Sequence, residues 1–125
     1  MRLLIDSNAL IFAVARPAAL LAVERQALQD PANDRFVSMA ALWEIAIKLS
    51  LGKLSLPGSL LEALDILGAT PLDITPAHVV RVQSLAFHHR DPFDRMMIAQ
   101  ALEENLTIVT RDRSFRAYGV PLLAA

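Results

Sequence analysis

The chain reads as an α/β protein of three layers, a small central parallel sheet flanked by helices, and two observations predict this. Short apolar runs alternate with longer amphipathic stretches from end to end, without repeats or low-complexity tracts, as in successive strand–crossover–strand units. In Leu3-Leu4-Ile5 and Leu106-Thr107-Ile108-Val109-Thr110 the apolar or β-branched residues are consecutive, the pattern of strands covered on both faces. The length of 125 residues suits one domain, residues 1–125, with a core of its own.

Taken in order, Leu3-Leu4-Ile5 is the first strand, and Asp6-Ser7-Asn8 follows at its carboxyl end before a helix expected from about Ala9. Ala18 to Gln29 reads as a helix whose apolar side is Leu20, Leu21, Val23, Ala27 and Leu28, and Asp30-Pro31-Ala32-Asn33-Asp34 as a loop. Arg35-Phe36-Val37 is a brief second strand. Ser38 then caps a helix from Met39 to Leu51 with Gly52 beyond its end, and Leu42, Ile45, Ala46 and Leu49 form its buried stripe. A short helix is expected over Ser59 to Leu67, stopped by Gly68, followed by a strand at Thr70-Pro71-Leu72-Asp73-Ile74. Thr75 and Pro76 are the N-cap and first residue of a helix reaching about Phe87, with His78 in its first turn read as structural or solvated.

Asp91 and Pro92 start the next helix in the same way, with Asp94 at the third position. Turning that helix at 100° per residue puts Gln100, Glu103 and Glu104 on a polar arc and Met97, Ile98 and Ala101 opposite. Asp94 falls on the apolar side, where a carboxylate is costly unless a cation or strong donor meets it. Leu106 to Thr110 is the clearest strand of the chain, Asp112 follows it, and Val120-Pro121-Leu122-Leu123 suits an edge strand that tolerates proline.

Composition narrows the function classes. A formal charge of -1 argues against a nucleic-acid binder held by bulk charge, although residues 81–125 carry six arginines against five acids. The absence of cysteine excludes disulfides, thiolate catalysis and cysteine-ligated zinc, and suits a reducing compartment. Asp6-Ser7-Asn8 interrupts the first apolar run too early for a secretory signal, and no stretch approaches the roughly 18 apolar residues of a membrane span. A soluble, cytoplasmic protein is expected. The apolar fraction of 54% leaves surface for a partner.

Four acids stand out by position. Asp6 and Asp112 follow strand ends, where open parallel sheets bind ligands. Asp94 opens a helix packed on that sheet, and Glu44 joins them if the polar stripe of its own helix, Glu44 and Lys48, points inward. Each has a plain structural reading as well: Asp6, Asp91 and Asp94 as caps, Glu44 as an i,i+4 partner of Lys48. Crowded carboxylates need compensation, and hard divalent cations with oxygen ligands, Mg²⁺ or Mn²⁺, supply it. The adjacent His88 and His89 diverge and make a poor two-histidine metal site.

The stretches Leu3 to Asn8, Ser38 to Lys48, His89 to Ala101 and Thr110-Arg111-Asp112 together resemble the PIN-domain ribonucleases, in particular the VapC-type toxins of toxin–antitoxin pairs, over essentially the whole length. The resemblance implies that Asp6, Glu44, Asp94 and Asp112 are the catalytic, metal-holding set. Ser7, Asp91 and Thr110 would support it from behind, and Arg95, Arg111 and Arg113 are candidates for RNA phosphate contacts. It implies endonucleolytic cleavage of RNA by metal-activated water and a cognate antitoxin. One departure is Asp6-Ser7-Asn8 where close relatives often carry Asp-Thr-His.

The surplus apolar surface is assigned to a homodimer contact and a groove for the antitoxin, the latter between Ala18 to Gln29 and Leu60 to Leu67. A stand-alone RNA-processing nuclease is the main rival, and a non-catalytic PIN domain binding RNA or protein a lesser one. Phosphoaspartate receivers and haloacid-dehalogenase phosphatases need a late lysine, whereas the only lysines are Lys48 and Lys53.

Overall fold

A computed structural model describes residues 1–125. Its centre is a five-stranded, wholly parallel sheet in the order β3-β2-β1-β4-β5, the middle layer of three, with helices on both sides as the outer layers. The strands are β1 Arg2–Ile5, β2 Asp34–Ser38, β3 Thr70–Leu72, β4 Thr107–Val109 and β5 Leu122–Leu123. Leu4 sits between Phe36 of β2 and Ile108 of β4, so β1 is the middle of the sheet, and Leu3, Leu4 and Ile5 are wholly buried. The strand order reverses between β1 and β4, which opens a crevice beyond their carboxyl ends. The residues that follow those two strands are Asp6 and Thr110.

The helices are α1 Ser7–Ala15, α2 Ala22–Gln29, α3 Met39–Ser50, α4 Leu60–Leu67, α5 Pro76–Ser84 and α6 Pro92–Glu104. Most begin where a local capping group says they should. Asp6, Ser38, Ser59, Thr75 and Asp91 each accept a hydrogen bond from a backbone N–H of the first turn. Gly68 ends α4 in the left-handed conformation, φ 59°, where a side chain would be strained. Asn105 ends α6 the same way at φ 55°. No helix is long and apolar enough to cross a membrane.

Several expectations are corrected. The helix expected over Ala18 to Gln29 is broken: Pro17–Ala19 forms a single 3-10 turn, and α2 starts only at Ala22, its first turn closed by the Glu24 carboxylate accepting from Leu21 N at 2.7 Å. Proline favours the tight turn, and nothing local continues it into an α-helix. Ala46 lies outside the buried stripe of α3, which instead uses Ala41, Leu42 and Ile45. A 3-10 helix at Arg113–Tyr118, unforeseen in the sequence, buries Phe115.

The polar arc of α6 is not solvated at Gln100. That residue is fully buried because α5 packs over it, and its amide Nε2 donates to Asp73 O at 3.3 Å. His78 is buried beside it and is structural. Its Nδ1 accepts from Thr75 N at 3.0 Å and its Nε2 lies 2.9 Å from Glu104 Oε1. Thus α6 is covered on nearly all sides, with Met97, Ile98, Ala99 and Ala101 in the core and Gln100 and Glu104 tied to α5.

Candidate active site

The four acids singled out in the sequence come from four different elements, and Asp6 and Asp112 share a cavity. Asp6 leaves β1 and caps α1, its Oδ1 accepting from Ala9 N at 2.7 Å. It is only 6% exposed, and burial raises its pKa. A side-chain hydrogen bond from Thr110 and the bond from Ala9 N counter that rise, while Glu24 and Asp112 add to it. Thr110 is itself fully buried, and its hydroxyl oxygen accepts from Asp112 N at 3.0 Å. One hydroxyl therefore ties the acid after β1 to the acid after β4. Asp112 in turn caps the 3-10 helix through Ser114 N, 2.9 Å from its Oδ1.

Asp94 sits in the first turn of α6, just past Asp91, whose Oδ1 accepts from both Phe93 N and Asp94 N. Its pKa is pushed from 3.8 up to about 7, chiefly by burial and then by the charges of Asp91, Glu44, Asp112 and Asp6. That set contains all the other acids named from the sequence, so Asp94 lies within electrostatic reach of every one. Glu44 approaches from α3. Its Oε1 accepts from the Ser7 hydroxyl at 2.7 Å, while its Oε2 lies 3.6 Å from Lys48 Nζ. The two readings of Glu44 are therefore not exclusive, because one oxygen faces inward and the other outward.

Two further groups went unmarked in the sequence. Glu24 is 1% exposed and shares a small cavity of about 60 Å³ with Asp6, Asn8, Phe12, Arg111 and Asp112. Arg111 clasps it, Nη2 at 2.6 Å and Nε at 3.0 Å from Oε1, and this pairing raises the arginine's pKa. His89 Nε2 is a buried atom without a hydrogen-bond partner, 3.5 Å from Asp94 Oδ2. Its other nitrogen, Nδ1, is 2.7 Å from the Tyr118 hydroxyl. Tyr118 Oη accepts from Arg95 Nη1 and His89 N, which leaves its own proton for His89 Nδ1 and places the imidazole proton on Nε2, toward Asp94. Glu24 stands at an ordinary capping position and His89 beside another histidine, so neither carried a distinguishing signal in the sequence.

The three arginines separate. Arg95 is corrected from its expected role at a phosphate. Its side chain is buried, Nη1 donating to Ala86 O at 2.9 Å and Nη2 to Leu85 O at 3.2 Å, and it holds the segment before α6 in place. Arg111 is spent on Glu24 and on Ala19 O, with its guanidinium 4.7 Å from the Phe12 ring centroid. Arg113 is exposed.

The donor set is oxygen throughout, carboxylates with flanking hydroxyls, which fits a hard divalent cation in chemistry. In the arrangement described, no three carboxylate or imidazole side chains draw close enough to form a ligating group. Oxygens of Asp6, Asp112 and Glu44 are engaged instead by Ala9 N, Ser114 N and the Ser7 hydroxyl, and like charges disfavour closer approach.

A crevice at the strand-order reversal of a parallel sheet, lined by acids from several elements, defines a class of α/β proteins with an acidic site. The family follows from the sequence profile of the PIN domain, which matches residues 3–121, and the chain belongs to that family. No curated protein matches it in sequence. Among solved structures it resembles VapBC2 from Rickettsia felis bound to a DNA fragment from its promoter, with TM-score 0.72 and 15% identity over 98% of both chains. It is similar also to VapBC-1 from nontypeable Haemophilus influenzae, TM-score 0.67 and 15% identity over 98% of this chain and 97% of the other. DNA-bound VapBC from Salmonella typhimurium gives TM-score 0.65 and 18% identity, again over 98% and 97%. At these identities the likeness is one of fold.

Proposed function

We propose that this PIN domain is a divalent-metal-dependent endoribonuclease and the toxin of a toxin–antitoxin pair. The observation that carries the reading is the burial of Asp94 within reach of Asp91, Glu44, Asp112 and Asp6; burial first, and then those charges, push its carboxyl up to about 7. Such crowding is costly to folding and finds its use when a cation is held there. Asp6, Glu44, Asp94 and Asp112 would hold Mg²⁺ or Mn²⁺. When bound, the ion supplies Lewis acidity and neutralises charge developing on the phosphodiester as water displaces the leaving oxygen.

The chain's own groups do the positioning. Thr110 holds Asp6 in register with Asp112, and Ser7 fixes one Glu44 oxygen. The His89–Tyr118 pair orients the imidazole toward Asp94. Arg113, exposed beside Asp112, is the candidate for an RNA phosphate, and single-stranded RNA is the favoured substrate because its backbone and bases are accessible.

The toxin assignment rests on the fold neighbours, which are toxin–antitoxin complexes, and on an apolar face of this chain. Two shallow cavities run between α1, α2 and α4. One involves Val14, Leu56, Ala63 and Ile66, the other Ala13, Leu20, Leu28 and Ile66, with exposed Leu21 and Leu61 alongside. An amphipathic antitoxin segment suits such a groove.

The test incubates purified protein with single-stranded RNA in Mg²⁺ or Mn²⁺ and again with chelator. It is then repeated with the product of any adjacent small reading frame. Metal-dependent internal cleavage that this product suppresses is expected. Cleavage without any such inhibitor would leave a stand-alone processing nuclease, and no cleavage by the folded protein would overturn the enzymatic reading.

A further inference from the structure

Beside the acids lies a second feature that the reaction as described does not use. A groove of about 440 Å³ opens between α3, the β3–α5 link and the start of α6, and its walls are Trp43, Ile74, Phe87, Phe93 and Met96 with Arg90 at the mouth. Exposed large aromatics are rare in this chain, yet Trp43 is 62% and Phe87 72% exposed, both at this groove. They are also braced. Phe93 packs edge-on against Trp43 with centroids 5.3 Å apart, and the buried Arg95 guanidinium lies 4.6 Å from the Phe87 centroid. Rings held in place at little entropic cost and still largely exposed are what a planar ligand needs.

Position and charge say which ligand. Trp43 immediately precedes Glu44 on α3, and Phe93 immediately precedes Asp94 on α6, so the groove adjoins the acidic crevice through both chain segments. Arg90 is exposed and none of the ion pairs in the structure involves it, leaving a cation at the mouth of an otherwise apolar slot. An apolar peptide would use the slot and have no need of the arginine. A nucleotide uses both, its base against the rings and its phosphate at the guanidinium.

We infer that the Trp43–Phe87 groove is a base-stacking subsite for an unpaired nucleotide of the RNA, flanking the phosphodiester held at the acids; this rests on the nuclease reading above. The base enters from a single strand, because a paired base keeps both faces stacked within its helix. Trp43 and Phe87 bind rather than react, so the subsite acts on substrate affinity.

Trp43 is the only tryptophan of the chain, and this makes the test direct. Intrinsic fluorescence of the wild-type protein is titrated with a single-stranded oligoribonucleotide in chelator, and in parallel with an oligonucleotide of the same length lacking bases. Quenching by the first and little by the second is expected. In Mg²⁺ or Mn²⁺, Trp43→Ala and Phe87→Ala are each expected to raise KM for single-stranded RNA about 5- to 100-fold at near-constant kcat, the range that loss of one stacked base gives. Trp43→Phe restores most of it. Cleavage with unchanged KM in both alanine variants and no quenching would overturn the subsite while leaving the nuclease intact. Quenching by RNA without cleavage would uphold the subsite and overturn the enzymatic reading. If Trp43 emission instead varies with protein concentration, and Trp43→Ala dissociates a dimer without changing RNA binding, the face belongs to a second copy of the chain and the inference fails.

Discussion

The Ser7 hydroxyl donates to Glu44 Oε1 at 2.7 Å, fastening the first turn of α1 to the middle of α3 across a separation of 37 residues. Lys48 holds the opposite oxygen from the solvent side. Ser7→Ala leaves Glu44 with Lys48 alone, which turns the carboxylate outward. The folded state should lose about 1 kcal/mol. Activity should fall about 10- to 100-fold, as when a group that orients a metal-holding residue is removed. Melting curves and kcat on one RNA substrate check the two parts, and an unchanged kcat would place Glu44 outside the reaction.

Asp94→Asn should abolish metal-dependent cleavage with the fold intact, since Asn keeps the shape and discards the charge. It also has a signature in pH. The folded-state pKa is raised from 3.8 to about 7, so the folded protein holds this proton more tightly than the unfolded chain. The associated stability is fully present below about 3.8 and is lost as pH rises through about 7. In chelator, the wild-type melting temperature should therefore drop between pH 5 and pH 8 more steeply than that of Asp94→Asn. Parallel curves for the two proteins would remove Asp94 as the crowded acid.

Mg²⁺ or Mn²⁺ should raise the melting temperature, because a ligand of the folded state alone adds about 2.7 kcal/mol at a hundredfold excess over its Kd. Asp6→Asn is the informative control. Asparagine still caps α1 at Ala9 N, whereas alanine would remove the cap and confuse helix stability with metal binding. Thermal shift with increasing metal should be large for wild type and small for Asp6→Asn, and equal shifts would locate the ion elsewhere.

The arginines divide by burial. Arg95→Ala strands Ala86 O and Leu85 O and should cost about 2–3 kcal/mol of stability. Arg111→Ala leaves the buried Glu24 charge without its counterion and should cost about 1–3 kcal/mol, less than for a fully buried pair because Arg111 is 36% exposed, and Glu24→Gln in the same chain should relieve most of it. Arg113→Ala should leave stability within about 0.5 kcal/mol and reduce the salt dependence of RNA binding by about one unit of slope. Denaturant unfolding and binding at several salt concentrations separate the three, and destabilisation by Arg113→Ala alone would reverse the assignment.

The elements that begin with a cap were legible because a cap is a local event. Ser38, Ser59, Thr75-Pro76 and Asp91-Pro92 each satisfy N–H groups two or three residues ahead, so the chain states its helix starts without reference to the rest of the fold. Consecutive apolar residues likewise announced the buried strands β1 and β4, and the acids after them followed from the geometry of any parallel sheet. The break at Pro17–Ala19 shows the limit even here, since the apolar spacing of Ala18 to Gln29 gave no sign that α2 starts only at Ala22.

What only the tertiary structure decided were the partners. Amphipathic spacing put Gln100 on a polar arc, and the packing of α5 turned that arc into an interior face where its amide needs Asp73 O. Arg95 and Arg111 read as free surface cations until carbonyls and Glu24 claimed them, the last from 87 residues away. His89 reads as one of two adjacent histidines, yet its contacts with Tyr118 and Asp94 make it part of the acidic crevice. Caps and periodicities act over a few residues, where sequence distance and spatial distance agree. Charge pairing, desolvation and ring packing act through space, and residues far apart in the chain become neighbours only once the sheet order has been chosen.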